Sequence, residues 1–173
     1  MTNPLTPLGS ALAQRSVRYV LMGVAGANLY APGGQALFVT EDYDLFLPLD
    51  EENLTAAWAA AEDIGADLWL GAEPLAKPRD SLLAARVVQH RAATRASSAN
   101  GLNVDLSLVM AGFAFDDVWR ERRVFTIEGV EIPTARLTHI VTSKATAGRD
   151  KDQLFLATHS DALEQLLKKP DLD

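Results

Sequence analysis

The chain has 173 residues, no cysteine and a formal net charge of −7, which excludes disulfides and thiolate zinc sites and argues against broad nucleic-acid binding through a basic surface. Its apolar share of 48% and charged share of 23% are those of a globular protein able to bury a core, so wholesale disorder is excluded. No apolar run reaches the roughly 20 residues of a membrane helix, and the opening MTNPLTPLGSALAQRS lacks the basic start and cleavage site of a secretory leader, so the expected location is cytoplasmic, with no membrane partner.

Residues 8–16 predict a short amphipathic helix, with Thr6 before Pro7 as its cap. The apolar run VRYVLMG, residues 17–23, predicts a buried strand ending at Gly23. VAGANLYA then suits a helix stopped by Pro32, Gly33 and Gly34. DYDLFLPL, residues 42–49, predicts a second strand, and Pro48 marks its end or an edge. DEENLTAAWAAAEDIG is the clearest helix, with an acidic first turn, an Ala-rich body and Gly65 as its stop. Residues 66–80, with Pro74 and Pro78, are expected to be irregular. LAARVVQHRAATR and LNVDLSLVM flank ASSANG and predict a strand–turn–strand hairpin, and VFTIEGVEIPTA predicts another around Glu128 and Gly129. Residues 136–147 and 150–168 predict C-terminal helices. This alternation points to a mixed α/β class with a central sheet flanked by helices. No repeat, low-complexity tract or linker interrupts it, so residues 1–173 are expected to form one domain.

Two aspartates, Asp42 and Asp44, stand one residue apart at the head of an apolar run. In a strand, residues i and i+2 share a side, so the two carboxylates converge and resist burial. No Lys or Arg stands beside them in the sequence, so a hard divalent cation such as Mg²⁺ (or Mn²⁺) is the natural compensation. Asp105 recurs in the same setting, in the middle of the apolar run NVDLSLV. If the two strands are neighbours, three aspartates meet on one sheet, a ligand set suited to phosphoryl or nucleotidyl transfer. Taken alone, the D-x-D pair also fits a turn or a solvated strand end, and an EF-hand is excluded by Phe46 and Leu47. Two basic stretches, RVVQHRAATR and WRERRVF, are either local anion patches or ordinary solvated faces.

Other chemistries find no support. There is no G-x-x-x-x-G-K-[ST], no G-x-G-x-x-G and no G-x-S-x-G elbow. His90, His139 and His159 have no zinc-binding spacing, and Trp58, Trp69 and Trp119 read as packing residues.

YVLMGVAGANLYA, then TEDYDLF, then VDLSLV fall in the order of three motifs of the small bacterial branch of the DNA polymerase beta-like nucleotidyltransferases. LTHIVTSKATAGRDKDQLFL is similar to that branch's C-terminal motif, so the resemblance spans residues 17–156. It implies the nucleotidyltransferase fold and Mg²⁺-dependent transfer of a nucleoside monophosphate from a nucleoside triphosphate to an acceptor hydroxyl. It further implies that Asp42, Asp44 and Asp105 are catalytic and hold the metal, with Gly23, Val24, Thr40 and Lys144 lining the nucleotide. Gly23 would admit the triphosphate where a Cβ would collide, and the helix after it would aim N–H groups at a phosphate. Lys144 is either a phosphate contact or a helix-surface lysine, and Arg149 and Asp152 are expected to pair or to cap the last helix. Relatives include toxins that modify RNA or protein, which implies an RNA or protein acceptor and an antitoxin partner. A non-catalytic binding or regulatory module on the same fold is the alternative. Val24 favours it, because the family carries Gly or Ser there: either Gly26 takes over from a shifted loop, or nucleotide binding is weak or lost. Phe155 also departs from the pattern, standing where many relatives carry a second Asp.

Overall fold

Alternation along the segment NVDLS puts Val104 and Leu106 on one side of a strand and Asn103, Asp105 and Ser107 on the other. In the computed structural model, which describes residues 3–34 and 36–169, this strand lies near the middle of an eight-stranded mixed sheet. In chain order the elements are α1 (Leu5–Gln14), β1 (Val20–Met22), α2 (Gly23–Asn28), β2 (Tyr43–Phe46), α3 (Glu51–Asp63), β3 (Asp67–Leu70), β4 (Glu73–Pro74) and α4 (Ser81–His90). They continue with β5 (Thr94–Ser97), β6 (Asn103–Ser107), α5 (Phe115–Arg120), β7 (Arg123–Ile127), β8 (Val130–Thr134), α6 (Leu137–Ala147), α7 (Asp150–Thr158) and α8 (Ser160–Leu167). The strands are ordered β4-β3-β5-β6-β2-β1-β8-β7. Two neighbouring pairs, β2–β6 and β1–β8, are parallel and the rest are antiparallel.

Each face of the sheet carries its own core. Leu45, Val104, Leu106 and Ala96 point to the side covered by Leu8 and Leu12 of α1, Trp58 of α3 and Val87 of α4. The indole N–H of Trp58, fully buried, donates to Thr94 Oγ1 at 3.1 Å, which removes the cost of burying both groups. On the other side Val20 and Phe46 pack with Phe115 and Val118 of α5, Ile140 of α6, and Leu163 and Leu166 of α8. That second cover is incomplete: the β5–β6–β2 part of this face, with Arg95, Asp105 and Asp44, is left half-exposed.

The mixed α/β class is as expected, and both hairpins are present around residues 98–102 and 128–129. Several boundaries differ for local reasons. The first helix begins at Leu5, and Asn3 rather than Thr6 serves its end, accepting from the Leu5 N–H at 2.9 Å. Thr6 instead turns its hydroxyl to the Asn3 carbonyl and to Glu128 on the distant hairpin. Residues 66–80 hold the β3–β4 hairpin, in which Pro74 sits on the short edge strand. RVVQH belongs to a helix, α4, capped by Asp80, whose carboxylate accepts from the Leu83 N–H at 3.1 Å. Residues 150–168 are two helices, broken at His159 between α7 and α8. Among the described residues, no helix is long and apolar enough to cross a membrane.

Candidate functional site

The register of four strands lines up one row of side chains. Arg95 on β5 is opposite Asp105 on β6, Asp105 is opposite Asp44 on β2, and Asp44 is opposite Met22 on β1. Residues in register on adjacent strands point to the same side, so the two aspartates stand shoulder to shoulder about 4.8 Å apart along the sheet. β2 and β6 thus do what the sequence required of them: two polar interruptions of apolar strands meet. Both line a cavity of about 520 Å³ together with Met22, Gly23, Ser107 and Val109. Lys144 of α6, Arg149, and Lys151 of α7 form its basic wall. The basic residues of this hollow can attract a phosphate group, whereas its carboxylates repel one unless a cation stands between them and the anion.

Gly23 is tied to this geometry. Its φ is +69°, and an added Cβ would lie 2.6 Å from Asp44 Oδ2. The missing side chain therefore makes room for the carboxylate itself. Among the described residues Asp44 has no hydrogen-bond or ion-pair partner within contact distance. Burial and the Asp105 charge raise its pKa, partly countered by Lys144 and Lys151.

Asp105 does have a partner. The Arg95 guanidinium forks onto it, with Nε–Oδ1 at 2.9 Å and Nη2–Oδ2 at 3.2 Å. The same Nη2 lies 3.8 Å from Asp42 Oδ2. The expectation that no arginine serves these carboxylates is thus corrected: the cation arrives from β5, across the sheet, where linear proximity to Asp42 could not show it. Asp42 itself lies just before β2, half-exposed beside Arg95, and does not line the cavity. Three carboxylates are near one another, but only two share the hollow. Among the described residues no group of three or more His, Asp or Glu forms a ready metal cage.

The other expected contacts divide. Lys144 lines the cavity, with Nζ 3.4 Å from Asp152 Oδ1 and 4.9 Å from the centre of the Phe155 ring. Asp152 is buried and also receives Arg149 Nε at 2.7 Å, so the expected Arg149–Asp152 pair is present and Lys144 joins it. Burial alone would raise the Asp152 pKa, but the Arg149 hydrogen bond and the Lys144 charge outweigh it and hold it below the usual carboxylate range. Phe155, the departure from the family pattern, packs its ring against Phe38 and His159. Val24 turns away from the cavity and packs against the second core. Gly26 does not replace it, for it is buried where a Cβ would meet Ile140 and the Leu21 carbonyl, both at 3.1 Å. Thr40 lies in the loop before β2, exchanging hydrogen bonds with the Asp42 backbone, and borders a different hollow beside Phe38 and Tyr43. The basic stretch RVVQHRAATR is split: its last residue, Arg95, belongs to the site, while Arg86 and His90 are on α4. No family model matches the chain, and no curated protein matches it in sequence.

Proposed function

We propose that the chain is a nucleotidyltransferase, moving a nucleoside monophosphate from a nucleoside triphosphate to an acceptor hydroxyl. The observation that carries this reading is the in-register pair Asp44 and Asp105, facing Lys144, Arg149 and Lys151 across one cavity. The donor set fits a hard divalent cation: two adjacent carboxylates, one of them without an ion-pair partner, offer the oxygen ligands that Mg²⁺ or Mn²⁺ takes. Asp44 and Asp105 would hold the ion, Asp42 lying outside the hollow, and the ion would supply charge neutralisation at the reacting phosphate.

The chain's own groups do the rest. Lys144, Arg149 and Lys151 hold the triphosphate against the carboxylate wall, and the Asp152 carboxylate keeps Lys144 and Arg149 in place. Asp105 orients the acceptor hydroxyl. The acceptor oxygen bonds to the α-phosphorus, the bond from that phosphorus to the pyrophosphate bridging oxygen breaks, and the hydroxyl proton leaves to solvent.

A second reading, a non-catalytic binding or regulatory module, is favoured by two observations: Arg95 already neutralises Asp105, and Val24 offers no hydroxyl to a phosphate. A labelled-nucleotide transfer assay with each of the four triphosphates, against total RNA and cell lysate, separates the two. Label transferred to RNA or protein, and lost in Asp44→Asn, supports the transferase and names its acceptor class. Calorimetric titration showing no binding of any triphosphate with Mg²⁺ present supports the module. The same lysate experiment reports whether an antitoxin-like partner blocks transfer.

A further inference from the structure

Arg95 does not fit the role of a surface ion pair. Its guanidinium engages both oxygens of Asp105 and lies within 3.8 Å of Asp42, so one cation serves two of the three carboxylates. The third, Asp44, stands next in the same row and has no such partner. The positive charge is therefore placed at the carboxylate cluster itself, on its β5 flank, and not on the opposite wall with the lysines. A guanidinium does not deprotonate at any physiological pH, so it leaves a site only by moving. Its side chain is 40% exposed, which leaves it an open route outward.

Resting on the transferase reading above, we infer that Arg95 is a displaceable internal counter-ion. In the metal-free protein it holds both oxygens of Asp105, one of the two carboxylates that would ligate a divalent cation beside Asp44, and loading the cation requires the guanidinium to release them. Arg95 thus trades cation affinity for stability of the empty site. A chain built this way stays folded without metal and binds the ion weakly on its own, more tightly when the triphosphate adds its negative charge to the site.

The test is a Mn²⁺ titration of the full chain, with free Mn²⁺ read by electron paramagnetic resonance and melting temperature followed in parallel. Wild type is compared with Arg95→Gln, which keeps a polar stem without charge, and with Arg95→Lys, which keeps the charge without the fork. Removing a unit charge a few ångströms from the ion is expected to tighten Mn²⁺ binding roughly ten- to hundred-fold in Arg95→Gln. That variant is also expected to melt below wild type without metal and to recover with it. Arg95→Lys is expected to fall between the two, and it carries the comparison if the Gln variant does not fold. Adding Asp44→Asn to Arg95→Gln is expected to abolish the gained affinity; a gain that survives places the ion elsewhere and overturns the inference. Equal or weaker Mn²⁺ binding in the Arg95 variants also overturns it while leaving the transferase reading standing. Absence of Mn²⁺ uptake in every variant overturns both.

Discussion

Burial and the Asp105 charge raise the pKa of Asp44, and the two lysines across the cavity offset this only in part. A carboxyl whose folded-state pKa is raised favours folding at acid pH and costs stability once pH rises through that folded value. Asp44→Asn is therefore expected to raise the melting temperature of the metal-free protein at pH 7. The advantage should shrink as pH is lowered and Asp44 in the wild type takes up its proton. Melting curves across pH 3 to pH 8, without divalent cations, check both the sign and the window. Gly23 gives a second measurement at the same contact. Gly23→Ala adds a Cβ 2.6 Å from Asp44 Oδ2 as well as straining a positive φ, whereas Gly65→Ala, at φ +75° with open space around it, adds strain alone. We expect Gly65→Ala to cost ~1 kcal/mol in denaturant unfolding and Gly23→Ala about twice that. Asp44→Ala should remove the difference between them, since it deletes the atom the new Cβ strikes.

At the scale of elements, α6 and α7 are joined through the buried carboxylate of Asp152, which Lys144 and Arg149 approach from the two helices' adjoining ends. Asp152→Asn leaves two cations without their shared anion, and since Arg149 is largely exposed we expect the lower end of the usual penalty, about 3 kcal/mol, by urea unfolding. The folded-state pKa of Asp152 is depressed, so its contribution is present above the unfolded carboxylate value and is lost as pH falls through the folded one. The acid limb of the wild-type stability curve should accordingly be steeper than that of the Asn variant. The α7 segment DKDQLFL was legible because it carries good helix formers, whereas LTHIVTSKA, with its Thr, Ile and Val, is weak by propensity and is held as a helix by burial of Leu137 and Ile140. Helix α4 was not legible, because Val87 and Val88 in a short apolar run read equally well as strand, and the deciding signal was Asp80 as a cap before Leu83 and Ala84. For the site, the polar interruptions at Asp44 and Asp105 were visible along the chain, as was the lysine at position 144. Arg95 was visible only as part of a basic stretch, because its role depends on β5 pairing with β6 in one particular register. Cross-strand register is a non-local property, and hydrophobic pattern alone does not specify which polar residues it brings face to face.

For the whole molecule, the eight strands form one sheet with a separate core on each face, and its protection should follow the strand order. β1, β2 and β6 are flanked on both sides by other strands and carry fully buried Val20, Leu21, Leu45 and Val104, whereas β4 and β7 are the edges. Native-state hydrogen exchange should find the slowest amides in the three inner strands and the fastest in β4 and in the outward-facing half of β7. Equal protection at β4 and β2 would contradict this placement. The same strand order has a consequence for how the protein comes into being. β2 makes its parallel pairing with β6, far down the chain, and β1 makes its own with β8, farther still. At a synthesis rate of ~5–20 residues per second, Asp44 leaves the ribosome seconds before Asp105 exists. During that interval β2 has only one of its two neighbours, the antiparallel β1 already made before it, and its β6 side stays open. The carboxylate row is thus closed by the later half of the chain. A nascent chain halted before β6 holds only Met22, Gly23, Asp44 and Ala93 of the hollow's lining, and the hollow is complete only when Lys144, Arg149 and Lys151 have followed, late in translation.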